Sequence, residues 1–114
     1  MELVAFVGSD SDTVSQVSGL IKKGDWDKIL LVCSGTPPIS EKPVEVVNIN
    51  SMQRLVDLKE EIKKRLQGKI KGTEVALSIA SGNGKEHMAL ISALLSVPVG
   101  IRFSALTKDG IVEL

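Results

Sequence analysis

The chain has 114 residues, 14 basic and 14 acidic side chains and a formal net charge of zero, with 43% hydrophobic and 25% charged residues. That is the length of one domain with an ordinary balance of core and surface. Zero net charge excludes a global field that would draw the protein onto duplex DNA or an anionic membrane, and its aromatics, Phe6, Trp26 and Phe103, are too few for a base-stacking platform.

In chain order, residues 3–7 form an apolar run ended by Gly8, which predicts a strand buried on both faces. Ser9, Asp10, Ser11 and Asp12 offer turn and helix-capping chemistry, with capping the expected role of the two aspartates. Val14, Val17, Leu20 and Ile21 then recur at helical spacing up to Lys23, and Gly24 ends the helix. Residues 28–33 predict a second buried strand, containing the only cysteine, Cys33. One cysteine allows no disulfide within the chain and fits a reducing compartment. The start of the chain does not read as a leader peptide, and no apolar run approaches the ~20 residues that span a bilayer, so a cytoplasmic location is expected.

Three prolines between residues 37 and 43 predict a loop where a helix would otherwise lie. Residues 44–49 predict a third strand. Asn50 is expected to cap the second helix, with Gln53 as its reciprocal partner. Leu55, Leu58, Ile62 and Leu66 form the apolar stripe of that helix, and Gly68 stops it. Residues 75–80 predict a fourth strand. A third helix is expected over residues 85–95, with Met88, Ile91, Leu94 and Leu95 on its buried side. A fifth strand lies within residues 97–106. Lys108, Asp109 and Gly110 predict a hairpin turn into a short antiparallel strand. The expected fold is a Rossmann-like three-layer α/β sandwich: a mostly parallel sheet of about six strands with an antiparallel C-terminal hairpin strand.

In such a sheet, ligands bind beyond the carboxyl ends of the strands where strand order reverses. Two loops are expected there, one opening with Gly8 and Ser9, the other formed by Ser81, Gly82, Asn83, Gly84 and Lys85. The second is the richer. Its glycines permit close backbone approach, Ser81 and Asn83 offer hydrogen bonds, and Lys85 places a cation at a helix amino end. Together they suit a phosphate, and His87 lies one turn in. The P-loop pattern fails, because Ile79 stands at its first glycine and Glu86 at its hydroxyl. The dinucleotide pattern G-x-G-x-x-G fails at His87. One histidine and one cysteine in different elements predict no metal site.

The run from Val75 through Ser81, Gly82, Asn83, Gly84 and Lys85 to Met88 resembles the CARF family, the CRISPR-associated Rossmann-fold domains. The resemblance lies in an apolar strand, a polar glycine-containing turn ending in a base, and a helix with Met and small apolar residues. Residues 4–9, ending in Gly8 and Ser9, fit the family's other ligand loop. The resemblance implies a homodimer that binds a cyclic oligoadenylate across its two-fold axis, with no cofactor. Gly8, Ser9, Ser81, Gly82, Asn83, Gly84, Lys85 and His87 would then line the pocket. It also implies ring-nuclease activity in some members, with Lys85 the catalytic candidate for charge stabilisation. Two other readings stay open: a small enzyme acting on a nucleotide or phosphorylated metabolite, and an interaction domain without a ligand.

Overall fold

A computed structural model describes all residues, 1–114. The elements are β1 (Glu2–Val7), α1 (Ser11–Lys23), β2 (Lys28–Cys33), β3 (Glu45–Asn48), α2 (Leu55–Leu66), β4 (Glu74–Ser78), α3 (Gly84–Ser96), β5 (Gly100–Thr107) and β6 (Gly110–Glu113). They form one six-stranded sheet of order β3-β2-β1-β4-β5-β6, parallel except for β6, which runs antiparallel to β5. This is the expected Rossmann-like sandwich.

Side chains alternate across the strands, so each apolar run feeds two cores. Leu3, Ala5 and Val7 of β1 join Ile29, Leu31 and Cys33 of β2 beneath Val17, Leu20 and Ile21 of α1. Val4 and Phe6 face the other way. With Leu30, Val32, Val75 and Leu77, they meet Leu58, Ile62 and Leu66 of α2 and Ala89, Leu90, Ala93 and Leu94 of α3. Each fully buried Leu, Val or Phe contributes about 1.5–3 kcal/mol from water exclusion. That accounts for β1, β2 and β4 at the centre of the sheet, where both faces are covered.

The first face has one helix and the second has two. Residues 34–44 run as a loop where a second helix on the α1 face would sit. Lys42 pins it by donating from Nζ to the carbonyl oxygens of Lys22 (3.1 Å) and Gly24 (2.6 Å) at the end of α1. Those are carbonyls that a helix end leaves without partners, and a cation satisfies them well.

Two expectations are corrected. Asn50 does not cap the second helix, which begins at Leu55 after an uncapped Arg54. Asn50 instead closes a turn, its Oδ1 accepting from the Met52 amide at 3.0 Å. The competing local bond of an Asn side chain wins because Asn50 lies too far upstream of the helical stripe. Met88 and Leu95 do not lie on the buried side of α3: both are exposed, and Ala89, Leu90, Ala93 and Leu94 are buried instead. Here small alanines let the helix approach the sheet closely, so larger neighbours were displaced outward. The fourth strand also ends two residues early, at Ser78, leaving Ile79 and Ala80 to lead into the turn.

Candidate functional site

Strand order reverses between β1 and β4. The chain goes outward from β1 to β2 and β3, then returns to β4 on the far side. The loops leaving β1 and β4 therefore part in opposite directions and open a crevice at their carboxyl ends. Both sequence-predicted loops lie there.

The crevice floor is a set of close backbone contacts. The Gly8 amide donates to Ser81 Oγ at 2.8 Å, and Thr13 Oγ1 donates to the same oxygen at 3.2 Å. Ser81 is fully buried, so its hydroxyl ties the two loops together and faces no ligand. A Cβ on Gly8 would stand 2.8 Å from the backbone of Gly82. Gly82 has φ of +101°, and a Cβ there would stand 2.6 Å from Phe6 Cδ1. Both glycines are thus demanded by the protein itself. His87 fixes the turn from the other side, with Nε2 2.7 Å from the Ser81 carbonyl oxygen. A carbonyl only accepts, so Nε2 carries the proton and Nδ1 is left as an acceptor. The imidazole also stands edge-on to Phe6 at 6.2 Å between centroids.

A third loop enters that the sequence reading did not place. Ser34 and Gly35 donate from their amides to the Val7 carbonyl oxygen at 2.9 and 3.2 Å. A Cβ on Gly35 would lie 2.1 Å from the Gly8 oxygen. The available signal was a glycine directly after a second buried strand, the same pattern that marked Gly8.

The wall of the crevice is the amino end of α3. Asn83 Oδ1 accepts from the Glu86 amide at 2.9 Å, and Glu86 Oε1 accepts from the Asn83 amide at 2.9 Å, a reciprocal cap. The carboxylate of Glu86 is buried, and its other oxygen accepts the Ser51 hydroxyl. Lys85 reaches the same segment, donating from Nζ to the Ser51 carbonyl oxygen at 2.8 Å. Glu86 and Ser51 were not singled out in the sequence. Asn83 and Glu86 have capping-box spacing, but nothing in sequence spacing links residue 51 to residue 86.

The two helix ends differ in what they leave free. At α1, the Asp10 carboxylate accepts from the Asp12 amide at 3.0 Å, so a negative charge already occupies that end. At α3 the capping acceptor is a neutral amide. The Gly84 and Lys85 amides have no partner, and they point out of the helix end toward solvent. Gly84 differs from the other two crevice glycines. Its φ is not positive, and an added Cβ would meet nothing within 4 Å. No constraint within the chain requires glycine there, and glycine leaves those two amides uncovered.

The structure thus brings Gly8, Ser81, Gly82 and His87 into one bonded floor. Asn83, Gly84 and Lys85 form the wall, and exposed Ser9 forms the opposite lip. Bare amides, a partial positive charge from the helix dipole and a nearby ammonium together attract an anion. Nowhere do three or more His, Cys, Asp or Glu side chains gather into a metal cluster. A hollow of about 550 Å³ exists at the opposite, amino end of the strands, lined by Met1, Glu2, Asp27, Lys28, Lys71, Gly72 and Glu74. There the Glu2 carboxylate is already satisfied by the Lys71 and Gly72 amides, so it anchors a loop. No helix is long and apolar enough to cross a membrane. No protein-family model matches the chain, and no curated protein matches it in sequence.

Proposed function

We propose that the crevice between Gly8–Ser9 and Ser81–Lys85 binds a cyclic oligoadenylate, with two copies of the chain sharing one ring. The observation that carries this reading is Gly84: an unconstrained glycine that keeps the first-turn amides of α3 bare beside Lys85. A phosphodiester takes two such N–H donors readily, and the helix end favours its charge. The resemblance of residues 75–88 to the CARF turn supplies the ring as the ligand class. Such a ligand is an intracellular messenger, which agrees with a cytoplasmic protein that neither spans a membrane nor grips duplex DNA.

Cleavage of the ring follows from the same geometry. A ribose 2′-hydroxyl attacks the adjacent phosphorus, the P–O5′ bond breaks, and a 2′,3′-cyclic phosphate and a free 5′-hydroxyl result. The proton lost by the 2′-oxygen ends on the 5′-oxygen, so the step needs no cofactor or metal. Gly84 and Lys85 amides orient the phosphate, and the Lys85 ammonium, held on the Ser51 carbonyl, offsets charge building on its oxygens.

One feature favours a second reading. His87 Nδ1 is an acceptor with no partner, which suits proton transfer on a small phosphorylated metabolite. Titrating the protein with cyclic tetra- and hexa-adenylate, with product analysis, separates the two. Saturable binding without products identifies a sensor, and linear products identify a ring nuclease. If neither ring binds, the cyclic-oligonucleotide reading is wrong and the metabolite reading takes its place.

A further inference from the structure

The outer surface of α3 is built like an interior. There is no Asp, Glu, Lys or Arg between Glu86 and Arg102, a stretch that takes in nearly the whole helix and the turn after it. The outward positions are Met88 (58% exposed), Ile91, Ser92 and Leu95 (60% exposed). By contrast, α2 carries Asp57, Lys59, Glu60, Glu61, Lys63, Lys64 and Arg65. A helix apolar all round is normally buried, whereas a surface helix shows charge on its outer side.

The neighbouring sheet continues this surface. Lys85 reaches the segment before α2, so that flank of α3 faces α2 and the Ile91 flank faces β5. Phe103 pairs across the sheet with Leu77, and Ala105 with Val112, so all lie on the α3 side. On the other side of the hairpin, Leu106 and Ile111 are packed under α1. On the α3 side nothing covers the hairpin: Phe103 is 37% exposed and Leu114 is 85% exposed.

We infer that a second copy of this chain covers this face, related by a two-fold axis running along α3. An interface around a two-fold must complement itself, and each residue near the axis meets its own image. A charged helix would there oppose like charges, which costs free energy when desolvated. The outward face of α3 has none. Met88, Ile91/Ser92 and Leu95 also fall at the spacing of a heptad seam, the pattern by which two helices interlock at a shallow angle. With the axis along α3, both crevices open at the same end, next to one another. The placement of the axis therefore deepens the ligand reading and rests on it. The apolar interface itself does not.

The test uses the intact protein without ligand. Sedimentation velocity at micromolar concentration should give twice the chain mass. Leu95→Glu should halve that mass with an unchanged circular dichroism spectrum, since Leu95 packs into neither core. If Leu95→Glu fails to fold, Met88→Lys serves the same purpose. Leu95→Cys should form a covalent dimer on mild oxidation, because each copy's residue 95 lies beside its image. The native Cys33 does not compete: it is buried, and burial pushes its thiol from 9.0 up to about 11. A monomeric wild-type protein, or a Leu95→Glu variant that stays dimeric, overturns the interface. A dimer whose Leu95→Cys variant does not cross-link overturns the axis. A dimer that binds no ring leaves the interface standing and removes the ligand reading alone.

Discussion

Glycines 8, 82 and 84 are the same residue with different physical demands upon them. At Gly8 and Gly82 the demand comes from neighbours under 3 Å from any added Cβ. At Gly84 there is no such demand. The serines divide in the same way. Ser81 is bonded to Gly8 and Thr13, whereas Ser78 is buried with an Oγ that has no partner. An unmet buried hydroxyl costs about 1–3 kcal/mol, and removing it leaves only a small void. Ser78→Ala is therefore expected to raise the denaturant midpoint with an unchanged slope. A fall in the midpoint would mean that the hydroxyl has a partner. The sequence showed which residues could bond a ligand, but not which were already engaged. That explains why Ser81 read as a ligand group: its type is right, and its burial follows from a contact 73 positions away.

For whole elements, legibility tracked how local the cause is. The strands and α1 follow from apolar runs and caps within a few residues, and they appear where expected. The cap of α2 was misread because an Asx turn at Asn50 uses the same side chain in another way. The buried side of α3 was misread because its chain of Met, Ile, Leu and Ala is apolar all round, so periodicity could not choose the inner face. Ala89 and Ala93 settle that choice through close packing on the sheet. The reciprocal cap of α3 gives a prediction at this scale. Asn83→Ala removes the bond to Glu86 and strands the buried carboxylate's partner segment, at a cost of about 0.5–2 kcal/mol. Thermal melts should show a lower midpoint and hydrogen exchange should show faster exchange in the first turn of α3. An unchanged first turn would mean that the Ser51–Glu86 bond alone holds that end.

The whole molecule is where the site and the fold become one argument. The order β3-β2-β1-β4-β5-β6 puts the loops after β1 and β4 side by side although more than seventy residues separate them. Chain order and handedness made that adjacency legible, because parallel strands joined by right-handed crossovers leave few arrangements. The third loop at Gly35 and the Ser51 tether were not legible, since both depend on how the β2–β3 and β3–α2 connections bend back over the sheet. The crevice is accordingly better founded in its floor, which the fold dictates, than in its ligand, which Gly84 and the turn's resemblance supply. Gly84→Ala addresses that ligand directly. Alanine is the better helix former by about 0.8–1.0 kcal/mol in a helix interior and meets no neighbour here. Its methyl group, however, would stand over the bare amides. The decisive measurement is cyclic oligoadenylate affinity in wild type and Gly84→Ala, beside their melting temperatures. The account predicts a variant that melts no lower than wild type and binds the ring at least tenfold more weakly, on the order of the 1.4 kcal/mol that a tenfold change represents. Equal affinity in a fully folded Gly84→Ala protein would contradict it.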